Sequence, residues 1–166
     1  MIYLTEATQN WTTENGWRIA PAGVPWIEEG CRIMVGEDVY IGDGVCIGKS
    51  SRISTNVIVG TRVTIGDGVH IGEDSYIRDD VSIRDDVYIG YKVQIGDGVT
   101  IGYKAIIYSW SYIDDGACIG DGVIFDWGVS IGKKAIIGDQ AKIRYRAKVA
   151  DYEVIPEYET VTKIED

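Results

Sequence analysis

From Val35 to Ile155 every sixth residue is a large apolar one, with no insertion anywhere. The series opens Val35, Ile41, Ile47, Ile53 and runs on through Ile107, Ile113, Ile119 and Phe125. Two places before most of them stands a smaller residue, among them Val39, Val63, Ser75, Ala105 and Ala141. The residue after is most often glycine, as at Gly42, Gly66, Gly96 and Gly132. A short fixed period over most of a chain predicts a solenoid. Each Val-x-Ile unit is a short strand with both apolar side chains on one face, which β-branched residues suit. Asp-Gly pairs at 43–44, 67–68, 97–98, 115–116 and 121–122, with Asn56, supply residues that tolerate positive φ at a bend. A helix is excluded by the period and by the glycine frequency, and hairpin stacks need longer alternating runs. The prediction is an all-β polygon of strand, bend and strand.

Three regions follow. Residues 1–34 are a Trp-rich N-terminal cap with irregular first hexads, 35–155 the repeat, and 156–166 a charged C-terminal tail expected along the outside. Ile27 and Ile33 are expected to be two further hexads displaced by two residues, with a bulge near Met34. Trp11, Trp17 and Trp26 suit a lid over the open first coil; a peptide- or sugar-binding cluster is the other reading.

The pattern Ile-Gly-Asp-Gly-Val-x at 41–46, 65–70, 95–100 and 119–124 resembles the hexapeptide repeat of the transferase superfamily. The resemblance implies that three hexads make one triangular coil of a left-handed parallel β-helix, an exception to right-handed crossovers. The 21 hexads then give about seven coils, roughly 34 Å long at ~4.8 Å per layer. Val154-Ile155-Pro156-Glu157-Tyr158 resembles the V-P-P-Y segment where many hexapeptide acetyltransferases leave the helix, without their following G-N-P-A-K.

Eighteen-residue coils sort the outward residues into columns. One reads Met34, Arg52, His70, Tyr88, Ile106, Ile124, Lys142. Beside it fall Tyr108 and a corner carrying Tyr91, Trp110, Trp127 and Tyr145. An aliphatic and aromatic surface of that size marks a contact site. Tyr88, Tyr91, Ile106, Tyr108, Trp110, Ile124 and Trp127 are therefore candidate substrate- or partner-binding residues. Because members of the superfamily are usually trimers packed side by side, the resemblance implies a homotrimer interface there, with a ligand shelf as the alternative.

His70, the only histidine, lies on the same face. In hexapeptide acyltransferases a histidine at the cleft between subunits acts as general base, so the resemblance implies that role for His70, with acetyl-CoA or another acyl-CoA as co-substrate. His70 falls in a strand rather than in a bend or an inserted loop, and a plain surface or interface histidine is the other reading. The expectation is an acyl-CoA-dependent acyltransferase of unspecified acceptor; the alternative is a non-catalytic trimeric β-helix serving as a structural, assembly or binding module. Whether the protein is an enzyme stays open at this point.

The γ-type carbonic anhydrases share the fold but hold zinc with three histidines, a site that one histidine cannot build. No metal is expected elsewhere. Glu73, Asp74, Asp79, Asp80, Asp85 and Asp86 fall at three different corners, while the stacked Asp79, Asp97 and Asp115 serve the turn or, alternatively, calcium. Thr64, Ser82 and Thr100 share a flat face but lack the paired threonines of ice-binding solenoids.

With 16 basic against 26 acidic residues the net charge is −10. That argues against nucleic acid and against an anionic membrane surface. The start, MIYLTEATQNW, has no secretory pattern and no apolar run spans a bilayer. Cys31, Cys46 and Cys118 are too few and scattered for a disulfide framework, which points to reduced thiols in a cytoplasmic protein.

Overall fold

A hexad offers two inward positions, and the computed structural model, which describes residues 2–15 and 17–162, shows what they build. Two-residue strands such as Tyr76–Ile77, Tyr88–Ile89 and Gln94–Ile95 recur at every hexad. Each pairs in parallel with a strand one coil away, in the register His70↔Tyr88, Tyr88↔Ile106 and Ile106↔Ile124. The chain is a left-handed parallel β-helix of about seven triangular coils, with sheets of eight, ten and seven strands among the described residues.

The interior is a stack of aliphatic layers. Ile71, Ile77, Ile89, Ile107 and Phe125 are fully buried, and so are the smaller partners Val57, Val93, Ala105 and Ala117. Where the partner is polar its hydroxyl is satisfied: Ser75 Oγ donates to the Gly90 carbonyl at 3.0 Å and accepts from the Val93 amide at 3.2 Å. The glycine after the core residue is steric in origin, since a Cβ on Gly72 would stand 2.5 Å from the backbone of Gly90 in the next coil. Two residues further on the backbone is left-handed, at Gly68 and Gly98 but also at Asn56, Lys92, Trp110 and Arg146. Backbone hydrogen bonds run between coils, as from His70 N to Val87 O at 2.9 Å and from Lys92 N to Glu73 O at 2.9 Å.

The stacked aspartates belong to this scaffold. Asp79 Oδ1 accepts the amide of Thr61 at 2.7 Å, Asp97 that of Asp79 at 3.0 Å, and Asp115 that of Asp97 at 2.9 Å. At a second corner Asp85 accepts the amide of Asp67, Asp121 that of Tyr103, and Asp139 that of Asp121. Each carboxylate thus ties its coil to the one before. Among the described residues no group of three or more His, Cys, Asp or Glu is placed to hold a metal ion.

At the N-terminal end each sheet edge is met by irregular chain. Strand β1 (Ile2–Tyr3) lies antiparallel on Tyr40–Ile41, and α1 (Leu4–Thr8) buries Leu4 behind it. Strands β2 (Thr12–Glu14) and β3 (Trp17–Ile19) form an antiparallel pair that joins β4 (Arg32–Val35). The third edge is met by the Trp26 carbonyl, which accepts the Ile47 amide at 2.8 Å; the Trp26 ring is buried and stacks on Trp11 at 5.2 Å.

Two expectations about the ends need correction. Ile33 pairs with Ser51 and Val35 with Ile53, so Ile33 is in register, a larger residue in the small partner's inward place, and no bulge separates it from the repeat. At the other end the ladder does not stop at Ile155. Thr160–Val161 pairs with Lys142–Ile143, because Pro156 takes the glycine's place and Tyr158 adopts the left-handed bend. Among the described residues no helix is long and apolar enough to cross a membrane.

Candidate functional site

On the outer face of the ten-stranded sheet, Arg52, His70, Tyr88, Ile106, Ile124 and Lys142 occupy successive rungs. A rung is ~4.8 Å, close enough for neighbouring rings to stack. The half-buried imidazole of His70 lies flat against Tyr88, with 5.1 Å between centroids and 5° between planes. Tyr88 in turn meets Tyr108 edge-on at 6.3 Å. Burial first, and then the positive charge of Arg52 on the preceding rung, push the His70 pKa below the ordinary imidazole value. The ring is therefore neutral at neutral pH and keeps a lone pair able to take a proton.

The corner leading to the eight-stranded sheet carries the larger rings. Tyr91 and Trp110 meet edge-on at 5.5 Å, and the Lys92 ammonium stands 4.7 Å from the Trp110 ring centre and 4.9 Å from that of Tyr91. Its hydrogen bond to Tyr91 is the main reason the Lys92 pKa is raised. Trp110 and Trp127 are each 55% exposed and Tyr145 is 56% exposed. With Gly128 and Arg146 they line an open groove of about 400 Å³. The Arg146 guanidinium lies 5.0 Å over the Tyr145 ring.

With this geometry in hand, the sequence profile of the GMPPB C-terminal domain is found to match residues 35–164. The chain belongs to that family. No curated protein matches it. Its fold is shared with solved structures of hexapeptide-repeat acyltransferases. A Bacillus cereus protein described as an acetyltransferase is 22% identical, with a TM-score of 0.61 over 77% of this chain and 74% of that one. The UDP-N-acetylglucosamine O-acyltransferase of Moraxella catarrhalis is 14% identical, with a TM-score of 0.58 over 84% of this chain and 66% of that one. At such identities the likeness is one of fold.

Within this member of the family, His70, Tyr88, Ile106 and Ile124 share one sheet face, with Tyr108 against Tyr88. Tyr91, Trp110 and Trp127 occupy the corner that borders it. Lys92 and Arg146 were not singled out by sequence reasoning, although both fall 18 residues from a residue of the same bend, Trp110 and Gly128. Arg52 was placed in the column without a role, and its charge beside His70 emerges from the ladder. A larger cavity of about 640 Å³ lies elsewhere, lined by Trp26, Cys31, Cys46, Lys49, Asp67 and Asp85 among others. Burial pushes the Cys31 thiol up, with Glu28 adding to the effect, which leaves it a poor nucleophile at neutral pH.

Proposed function

We propose that the protein is an acyl-CoA-dependent acyltransferase with His70 as general base, acting at a cleft formed where columns pack side by side as a homotrimer. The observation that carries this reading is the half-buried imidazole of His70, flat on Tyr88 and bordered by an exposed aromatic surface, with burial lowering its pKa. Such a ring takes the proton of an acceptor hydroxyl or amine as that atom attacks the thioester carbonyl. The C–S bond then breaks, and the imidazolium returns the proton to the leaving thiolate of CoA. The likeness to solved acyltransferases supports the general kind of chemistry and leaves the acceptor open. The free thiols of Cys31, Cys46 and Cys118 fit a reducing, cytoplasmic setting. Acetyl-CoA or CoA should raise the melting temperature, since a ligand of the native state stabilises it. His70→Ala should keep the fold and abolish release of the CoA thiol; no CoA-dependent shift overturns the proposal.

A second reading, a non-catalytic trimeric assembly or binding module, is favoured by one feature. The repeat from 35 to 155 runs without an inserted loop that could wall an acceptor pocket, and the matching family is itself defined as a C-terminal domain. Under that reading the chain forms a trimer, ignores CoA, and is indifferent to His70→Ala.

A further inference from the structure

Two corners of the column are built alike and the third is not. At the two alike, aspartates such as Asp79, Asp97 and Asp115, or Asp85, Asp121 and Asp139, accept the amide of the preceding coil. At the corner between the ten- and eight-stranded sheets the equivalent positions hold Thr55, Glu73, Tyr91, Ser109, Trp127 and Tyr145. Thr55 and Ser109 still accept the amides of Glu37 and Tyr91, at 3.4 and 3.1 Å. Aromatic rings have no acceptor to offer there. At the left-handed position that follows stand Lys92, Trp110 and Arg146, strained relative to Gly128 in the same column. Non-glycine residues take the same left-handed bend at the other two corners as well, at Arg62, Lys104 and Lys134, so what sets this corner apart is the absence of a capping aspartate, which leaves its positions open to another use.

The chemistry of the corner narrows that use. Its rings are interleaved with cations, Lys92 beside Tyr91 and Trp110 and Arg146 over Tyr145, and among the described residues neither cation forms an ion pair. Lys92 already feels the Tyr91 hydroxyl and the Asp74 carboxylate, so Arg146 is the cation that favours an anionic group on a chain of net charge −10. Two cations are too few to hold a nucleic acid against that net charge. A protein partner with a flat apolar surface is better met by the adjoining sheet face, where Ile106 and Ile124 stand. A sugar ring, in contrast, has an apolar C–H face for an indole and polar groups at its rim for donors beside it. The groove of about 400 Å³ lies within the range of small-ligand sites. The rings recur along the column axis, which suits a linear ligand laid lengthwise.

We propose that this corner binds an acidic saccharide, with sugar rings stacked on Trp110 and Trp127 and a carboxylate held by Arg146. The proposal does not rest on acyl transfer, and its test contains no CoA. Oligogalacturonate and the neutral cellohexaose are titrated into the intact chain while the indole N–H resonances are followed by NMR. Oligogalacturonate is expected to shift the Trp110 and Trp127 signals, with Trp127→Ala weakening binding about tenfold or more and Trp127→Phe retaining most of it. Arg146→Gln is expected to weaken oligogalacturonate several-fold and to leave any cellohexaose binding unchanged. The proposal is overturned if oligogalacturonate leaves both signals unmoved at millimolar concentration. It is equally overturned if Trp127→Ala binds as well as wild type, or if that variant instead changes the oligomeric mass, which makes the corner a protein interface.

Discussion

His70 and Tyr88 stand one rung apart on the same sheet face with their rings parallel, 5.1 Å between centroids. The phenol ring covers one face of the imidazole and Arg52 charges the rung on its other side. Both features favour the neutral ring, so the unfolded chain binds the proton more readily than the native one. The stability His70 contributes is therefore complete above the ordinary imidazole value of about 6.5 and is lost as pH falls through the lower folded value. Wild type should lose more melting temperature than His70→Gln as pH is lowered through that window. In an NMR titration the His70 midpoint should lie below about 6.5 and move up towards it in Tyr88→Ala, with a smaller rise in Arg52→Gln. A midpoint that does not respond to Tyr88→Ala would show that the Tyr88 ring is not what shields the imidazole.

The interior tolerates little change. Phe125 is fully buried between Ile107 and Ile143 on adjacent rungs. Phe125→Ala should destabilise by about 3–5 kcal/mol and Ile89→Ala by about 2–5 kcal/mol, while Ile89→Val should cost about 0.5–1.5 kcal/mol. Chemical denaturation measures the series, and equal losses for Ile89→Ala and Ile89→Val would contradict a tightly packed stack.

Asp79 separates a turn from an ion site. Its Oδ1 accepts the Thr61 amide at 2.7 Å. Removing a charged acceptor from that bond should cost about 1–3 kcal/mol in Asp79→Ala and less in Asp79→Asn, whose amide oxygen still accepts. Neither calcium nor a chelator should move the melting curve, because stabilisation by a bound ion would appear there. A calcium-dependent rise that Asp79→Ala abolishes would restore the ion reading.

Trp110 has φ of 64°. A non-glycine residue in that conformation costs roughly 1–2 kcal/mol, and glycine's extra chain entropy recovers about 0.5–1 kcal/mol of the difference. Trp110→Gly should thus leave stability within about 1 kcal/mol of wild type despite the loss of a tryptophan. A drop several times larger in a urea melt would mean that the ring is part of the scaffold.

The solenoid was legible because its two inward positions repeat with the period of the backbone, so Ile71, Ile77 and Val93 announce their burial. The outer columns followed by counting, and the Cα register reproduces them rung for rung. What counting missed had physical reasons. Ile33 reads as a shifted hexad because its size resembles a core residue's, whereas the site it fills is the small partner's. Thr160–Val161 continues the ladder although Pro156 suggests an exit, since amides at its position donate onward to the following coil, as Gly138 N does to Ile155 O, and pairing back to Lys142–Ile143 does not use them. The singularity of one corner became visible only when the aspartates at the other two were seen to cap amides. Spacing alone does not distinguish a capping carboxylate from a solvated one. The roles of His70 and the aromatic residues depend on what approaches the surface, and a single chain's sequence carries no record of that.

The triangular cross-section has one more consequence, for how such a chain can change length. All three sides present the same inward pair, so losing a single hexad leaves every layer filled. It nevertheless turns the downstream column by one side. A six-residue deletion ahead of Tyr88 would carry Trp110 and Trp127 to a different corner, away from the upstream rung of His70. Loss of a whole coil, 18 residues, would shorten the column by ~4.8 Å and keep each outer strip aligned. Duplication and trimming can thus re-address a surface, or simply move it along the axis, while the hydrocarbon filling hardly registers the event.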